Sequence, residues 1–367
     1  MTARILSAFI GCLAILCLPL ISAAKEPATQ PAGLGVSGPV VHENLAIYLI
    51  HSQTKSAHQT YLTLQEGMAQ KKVFVYETNG SQLMIENRSD QDLFVQACEV
   101  VKGGDQDRTL DQDLVVPPES GLVPISCHCV EHGRGGPRGA ENERYFNASD
   151  NMLASRELKL ANYANDQEAV WSQVSVMQSK LASNVNGFSG EPDVSPSSFE
   201  LTVEAPQVQG AVDTFMKKLS SAPEADDTVV GYAFAINGKL NAGDVYASHA
   251  LLMKLWPKLL TAAAVEAIAN HTKTSVGTAP TSDEVAAALA EAESGVETHT
   301  LVVDGGAALT PEQTAQLRQQ YANDALTPAP ANDRASFVKR EGEHHVIFET
   351  RDSKTDAPFV HRTYLTK

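Results

Sequence analysis

Positive charge is scarce in this chain: 28 Lys and Arg stand against 44 Asp and Glu, a formal net charge of -16 over 367 residues. Nucleic acid rewards a basic face, so no nucleic-acid partner is expected. An anionic membrane surface is disfavoured for the same reason. Beyond the N-terminus no segment has the ~20 uninterrupted apolar residues of a membrane helix. Cysteine is sparse too. Of the 5 in the chain, Cys12 and Cys17 lie in the N-terminal apolar run, leaving Cys98, Cys127 and Cys129. An odd set cannot pair completely, so one thiol is left over. G-x-S-x-G, the Walker loop, H-E-x-x-H and a well-placed G-x-G-x-x-G are all missing, so no familiar catalytic class can be read off directly. No cofactor is expected.

The N-terminus has the form of a secretory signal. A short region carrying Arg4 precedes an apolar run over 5–21, and Ser22-Ala23-Ala24 supplies small residues before Lys25. Cleavage after Ala24 is expected, giving a periplasmic or secreted protein with no membrane segment left. Residues 25–40, rich in Pro, Gly, Ser and Thr, read as a flexible leader. Length allows one large domain or two ordinary ones.

The next hundred or so residues alternate as strands. Strands are expected over 45–50, 72–78, 82–86, 93–101, 109–116 and 122–130, with Asn79-Gly80 as a hairpin turn. Residues 61–70 read as a short helix. After residue 142, Val170, Val174, Met177 and Leu181 form one helical stripe and Val208, Val212, Phe215 and Leu219 another. Residues 199–203 alternate as a strand, and 229–237 is strongly strand-like. Ser248 caps a long apolar helix in which Pro257 predicts a kink or a start. Thr281-Ser-Asp-Glu284 and Thr310-Pro-Glu-Gln313 fit capping boxes. Strands close the chain at 337–339, 345–350 and 360–365, with a Pro/Ala-rich linker over 322–333 and a turn over 303–306. His344, His345 and His361 read as strand-surface residues. The expected fold is α+β, with antiparallel hairpins in a β-rich N-terminal half and mixed elements after it. The domain is placed at 41–275, with 276–367 packed on it.

Chemistry concentrates over 96–138, which holds Cys98, Cys127 and Cys129, two double glycines, and Arg108, Arg134 and Arg138. On a strand, Cys127, Cys129 and Glu131 share one face and His128, Val130 and His132 the other. Cys127 and Cys129 are the residues that could serve a soft metal, but nothing nearby supplies further ligands, so no metal is expected. A bridge between them would be strained, which leaves Cys98 with Cys127 or Cys129 as the expected disulfide. His128-Cys129 and Arg134 imitate a cysteine-phosphatase loop one residue short, with Glu131 set to repel phosphate. Gly103-Gly104 reads as a tight turn or as a close approach to a phosphorylated ligand, with Lys102 and Arg108 as counter-charges.

Several segments together resemble a bacterial family of unknown activity, the ARG and rhodanese-phosphatase superfamily associated protein domain family. They are E-N-R-S-D-Q-D-L-F-V-Q-A-C-E-V-V-K-G-G-D-Q-D-R from Glu86, V-P-P-E-S from Val116, P-I-S-C-H-C-V-E-H-G-R from Pro124, Q-E-A-V-W-S-Q-V from Gln167, and Y-A-F-A-I-N-G-K-L through L-W-P-K-L-L from Tyr232. Glu99, Gly103, Gly104, Gln106, Arg108, Cys129, Glu131 and Arg134 match its pattern. Cys98 stands where a glycine is usual, and Gly135 where a tryptophan is. The resemblance implies, at most, work near ADP-ribose or nucleotide chemistry.

Three functional expectations follow. One is a non-enzymatic exported domain binding a small polar or phosphorylated ligand, or a protein, through Gly103, Gly104, Gln106, Arg108 and Arg134. The second is a hydrolase-like enzyme using Glu99, Glu131 or Cys129. The third is an oxidisable or metal-binding site at the three cysteines.

Overall fold

The strand Val229–Ile236 reads V-V-G-Y-A-F-A-I, apolar at nearly every step, and all of its residues are buried. Such a strand needs cover on both faces. It lies third in an eight-stranded sheet ordered Leu34–His42, Leu45–Ser52, Val229–Ile236, Lys239–Tyr246, His361–Thr366, His345–Asp352, Ala335–Glu341 and Val296–Val303. Every neighbouring pair in it is antiparallel. This computed structural model describes residues 34–53, 60–78, 82–139, 141, 145–272, 277–303, 310–321 and 334–367. The segment expected as a signal over 1–24, the Asn79-Gly80 turn, the 322–333 linker and most of the turn over 303–306 lie outside the described residues.

One face of the sheet is covered by the helix His249–Ala269. This helix is apolar nearly all round, as a central helix must be, and Leu251, Leu255, Leu259 and Val265 are among its many buried residues. Ser248 caps it by accepting from the Leu251 amide, and Pro257 sits inside it without ending it. Trp256 meets Tyr232 of the sheet edge to face, with ring centroids 5.2 Å apart. The sheet's other face packs against the helix Ser282–Glu293 through Val285 and Leu289.

Beyond the central helix lies a second sheet of six strands, ordered Asn147–Met152, Glu99–Lys102, Arg108–Leu110, Leu122–Cys129, Gln82–Asn87 and Val73–Glu77. One continuous apolar core joins both sheets to the helices between them. The fold is thus α+β, with strands dominating the N-terminal half. Among the described residues no helix is long and apolar enough to cross a membrane.

Four of the expected segments need correction. Residues 34–40, expected in the flexible leader, belong to the edge strand Leu34–His42. The stretch 93–101 is two strands, Leu93–Val95 and Glu99–Lys102, broken where Cys98 takes a positive φ of 71°. Likewise 109–116 divides into Arg108–Leu110 and Leu114–Val116. Residues 199–203, expected as a strand, lie in the helix Phe199–Glu204. Phe199, Leu201 and Val203 alternate, but Phe199, Thr202 and Val203 also fit the i, i+3, i+4 helical spacing, and these three are buried. The Ser198 hydroxyl accepts from the Leu201 amide and decides between the two.

His361 is not on a strand surface. Its strand lies inside the sheet, and the ring is 1% exposed, held between two carboxylates. Its Nδ1 is 2.7 Å from Asp113 Oδ2 and its Nε2 3.1 Å from Asp244 Oδ1. Carboxylates on both sides demand N–H on both nitrogens, so the ring is cationic. Burial alone would lower its pKa, but Asp113 and Asp244 outweigh burial and raise it to about 9. Because the folded pKa exceeds the unfolded value of about 6.5, this clasp contributes fully below that pH. The contribution is lost as pH rises through about 9. The stability gap between wild type and His361→Gln should be on the order of 2 kcal/mol in weak acid and should narrow toward alkaline pH in thermal melts. A gap independent of pH would contradict the cationic clasp.

Candidate functional site

The loop that follows the strand Leu122–Cys129 alternates in a regular way. His132, Gly133, Gly135, Pro137 and Gly139 are exposed, while Arg134 and Arg138 turn inward. Each of those side chains is only 10% exposed. Buried guanidinium groups need carboxylates, and three supply them.

Arg134 donates from Nε to Glu131 Oε2 at 2.8 Å, from Nη2 to Asp107 Oδ1 at 3.0 Å and from Nη1 to Glu141 Oε2 at 3.2 Å. It also reaches the carbonyls of Gly103 at 3.3 Å and Gly104 at 3.1 Å. Arg138 donates to Glu131 Oε1 at 3.1 Å, to Glu141 Oε1 at 3.2 Å and to the Ser198 hydroxyl at 3.0 Å, and bonds Asp107 Oδ2 as well. The two motif segments are therefore stitched to each other. What the double glycine admits is this chain's own Arg134 and Glu77.

Gly104 shows why glycine is required. Its φ is +55°, and a Cβ there would lie 2.3 Å from Glu77 Oε2 and 2.7 Å from the Phe146 ring. Glu77 accepts from the Asp105 amide at 2.9 Å and from Arg108 Nη2 at 3.2 Å. Arg108 also donates to Gln106 Oε1 at 3.3 Å and contacts the Cys129 sulfur. Gln106 in turn donates to the Arg134 carbonyl at 3.3 Å.

Asp107 and Glu131 are both fully buried within this cluster. Burial pushes the Asp107 carboxyl up to about 6, with Glu131 beside it adding to the rise against the pull of Arg138 and Arg134. Burial would raise Glu131 too, but the Ser195 hydroxyl and both arginines outweigh it and hold it below its ordinary value.

Glu99 is not part of this group. Its carboxylate accepts from Lys258 Nζ of the central helix at 2.8 Å and from the Gln96 amide at 3.0 Å. Glu99 and Glu131 share no partner, so the structure divides the candidate acids that sequence placed together.

The three cysteines are free thiols, and the expected bridge from Cys98 to Cys127 or Cys129 is not formed. Each sulfur faces a different setting. Cys98 accepts from Asn162 Nδ2 at 3.5 Å, and burial pushes its pKa up to about 12. Cys127 is pushed up by burial as well. Cys129 is half-buried, and burial with Glu77 outweighs the pull of Arg108, so its thiol is also raised. None is an activated nucleophile. His128 is buried between the amide oxygens of Asn162 and Asn165, both 2.9 Å from its ring nitrogens. Among the described residues no group of three or more His, Cys, Asp or Glu is disposed to hold a metal ion.

Sequence reasoning assigned no site role to Glu77, Asp107, Arg138, Glu141, Ser195 or Ser198. Arg138 and Asp107 each lie within four residues of a chosen arginine, and the surplus of nearby carboxylates was the available signal. Nothing local marks Ser195, which reaches Glu131 from 64 positions away.

An α+β domain with a buried, internally matched ion cluster under a glycine-rich loop is the class that fold and site define. The family described as ARG and Rhodanese-Phosphatase-superfamily-associated Protein domain matches residues 33–334, and the chain belongs to it. Neither a curated protein nor a solved structure matches the chain. Cys98 has the left-handed φ of 71° that glycine tolerates best.

Two outcomes follow. Cys98→Gly should stay within about 1 kcal/mol of wild type, whereas Cys98→Val should lose about 2 kcal/mol or more, since a β-branched residue is strained at positive φ. Denaturant melts that ranked Val above Gly would show packing, not backbone, to govern the site. Arg134→Met should cost about 3–5 kcal/mol, because it strands buried carboxylates. A loss under about 1 kcal/mol would mean the cluster is solvated.

Proposed function

We propose that this chain is an exported, non-enzymatic recognition domain. It binds its partner through the glycine-rich loop over 131–139 and the Gly103–Arg108 turn beneath it. The observation that carries the reading is that Arg134 and Arg138 are fully engaged by Asp107, Glu131 and Glu141, while the loop's glycines face outward. A Cβ added at Gly133, Gly135, Gly136 or Gly139 would meet nothing within 4 Å. Fixing a loop by buried ion pairs and leaving its outer edge open is the arrangement of a preorganised contact surface. A phosphorylated ligand could reach Arg134 only by displacing its carboxylates, so a protein partner fits better than a small anion.

The alternative is a hydrolase-like enzyme acting on an ADP-ribose- or nucleotide-related substrate. The opposed shifts of Asp107 and Glu131 resemble an acid and base pair, which is the point in its favour. Against it, both groups are shut from solvent, Glu131 has no free acceptor facing outward, and Glu99 belongs to Lys258.

A photo-crosslinking residue placed at Gly135, which has room and no positive φ, should capture a partner in the producing cell. The same residue on the exposed edge at Val41 should not. Turnover of ADP-ribose or a nucleotide by the wild type, abolished in Glu131→Gln, would overturn the reading.

A further inference from the structure

Resting on the recognition reading, the surface beside the loop points to the kind of partner it takes. Val194 is the most exposed large apolar side chain among the described residues, at 77%. Pro196, two residues on, is exposed, and half-buried Trp171 stands edge-on to His132 with ring centroids 4.7 Å apart.

The segment over 190–198 that carries Val194 is fastened both to the loop after Cys129 and to the helix that carries Trp171. His132 N donates to Ser197 Oγ at 2.9 Å, and the Ser197 hydroxyl donates back to the His132 carbonyl at 2.9 Å. Ser195 bonds Glu131. On the other side, Gln178 Nε2 of the helix Gln167–Asn184 donates to the Pro196 carbonyl at 2.7 Å. Trp171 lies on that same helix and donates its indole N–H to the Glu131 carbonyl at 3.2 Å. Its N–H is thus used internally, and what it offers outward is ring.

The rim is acidic. Glu168 is one turn before Trp171 on the helix, and Glu191 and Asp193 precede Val194; all three are exposed. The nearest arginines do not offset them. Arg134 and Arg138 are already engaged by Asp107, Glu131 and Glu141.

We propose that this face docks a cationic, apolar-anchored polypeptide segment. Its Lys or Arg side chains meet Glu168, Glu191 and Asp193, and an apolar side chain lies across Trp171 and Val194. Complementary rim charge sets the encounter rate and the choice of partner, and the aromatic contact holds it.

The chain reports on this directly. It has 2 tryptophans. Trp256 is 2% exposed in the core, so a ligand-induced change in emission reads Trp171. A short synthetic peptide alternating Lys with Val and Pro is titrated into the full protein, beside a counterpart with Glu for Lys. The Lys peptide should give a saturable change at an affinity about tenfold or more above the Glu peptide. Val194→Ser, and separately Glu191→Lys with Asp193→Lys, should each weaken it about tenfold without shifting the melting point, since all three positions are exposed and outside any helix. Equal response to both peptides, no saturable change, or indifference to both variants would overturn the proposal. Capture of a partner at Gly135 with Trp171 indifferent to the Lys peptide would leave the recognition reading standing and remove only its cationic partner.

Discussion

Two arginines facing three carboxylates out of water are what the site depends on. Isolated, either guanidinium would be costly to bury, and so would Asp107 or Glu131. Together they compensate one another, and only in one arrangement, because Arg134 must also reach the carbonyls of Gly103 and Gly104. Buried ion pairs are weak as net stabilisers, since apolar replacements of equal shape often do as well. Their effect here is to fix position. They join the turn before Arg108 to the loop after Cys129, and through Ser195 and Ser198 they draw in the segment that leads to the helix Phe199–Glu204.

The same logic recurs deeper in the molecule. Within the largely apolar central helix His249–Ala269, the buried Lys258 meets Glu99 and the buried Glu266 meets Asn241 and the Arg156 amide. His361 clasps Asp113 and Asp244 and so ties the last strand to the turn beyond Arg108–Leu110. A chain this acidic could scatter its charges at the surface. It instead uses matched internal pairs to set how the two sheets and the helix between them meet.

Much of the fold was legible in the sequence because its elements are strongly patterned. The run at Val229–Ile236, the stripe from Val170 to Leu181 and the capping boxes at Thr281 and Thr310 each have one physical reading, and the structure has them so. Reading failed where two periods coincide, as over 199–203, or where one backbone angle matters, as at Cys98. The gathering of glycines and arginines over 96–138 was legible in the sequence. Its wiring was not, because Glu77, Ser195 and Lys258 approach from distant positions and carry no local mark. Arg108 and Arg134 read as hands held out for an anion; the carboxylates that fill them could be recognised only once the chain was folded.

That inward matching is the central claim, and a double-mutant cycle tests it most directly. Asp107→Asn, Arg138→Gln and the double variant are compared with wild type by equilibrium unfolding. The account gives a coupling of about 1.5–3 kcal/mol, with the double variant more stable than the two losses summed. Additivity within about 0.5 kcal/mol would contradict it and return Arg138 to solvent or to a ligand.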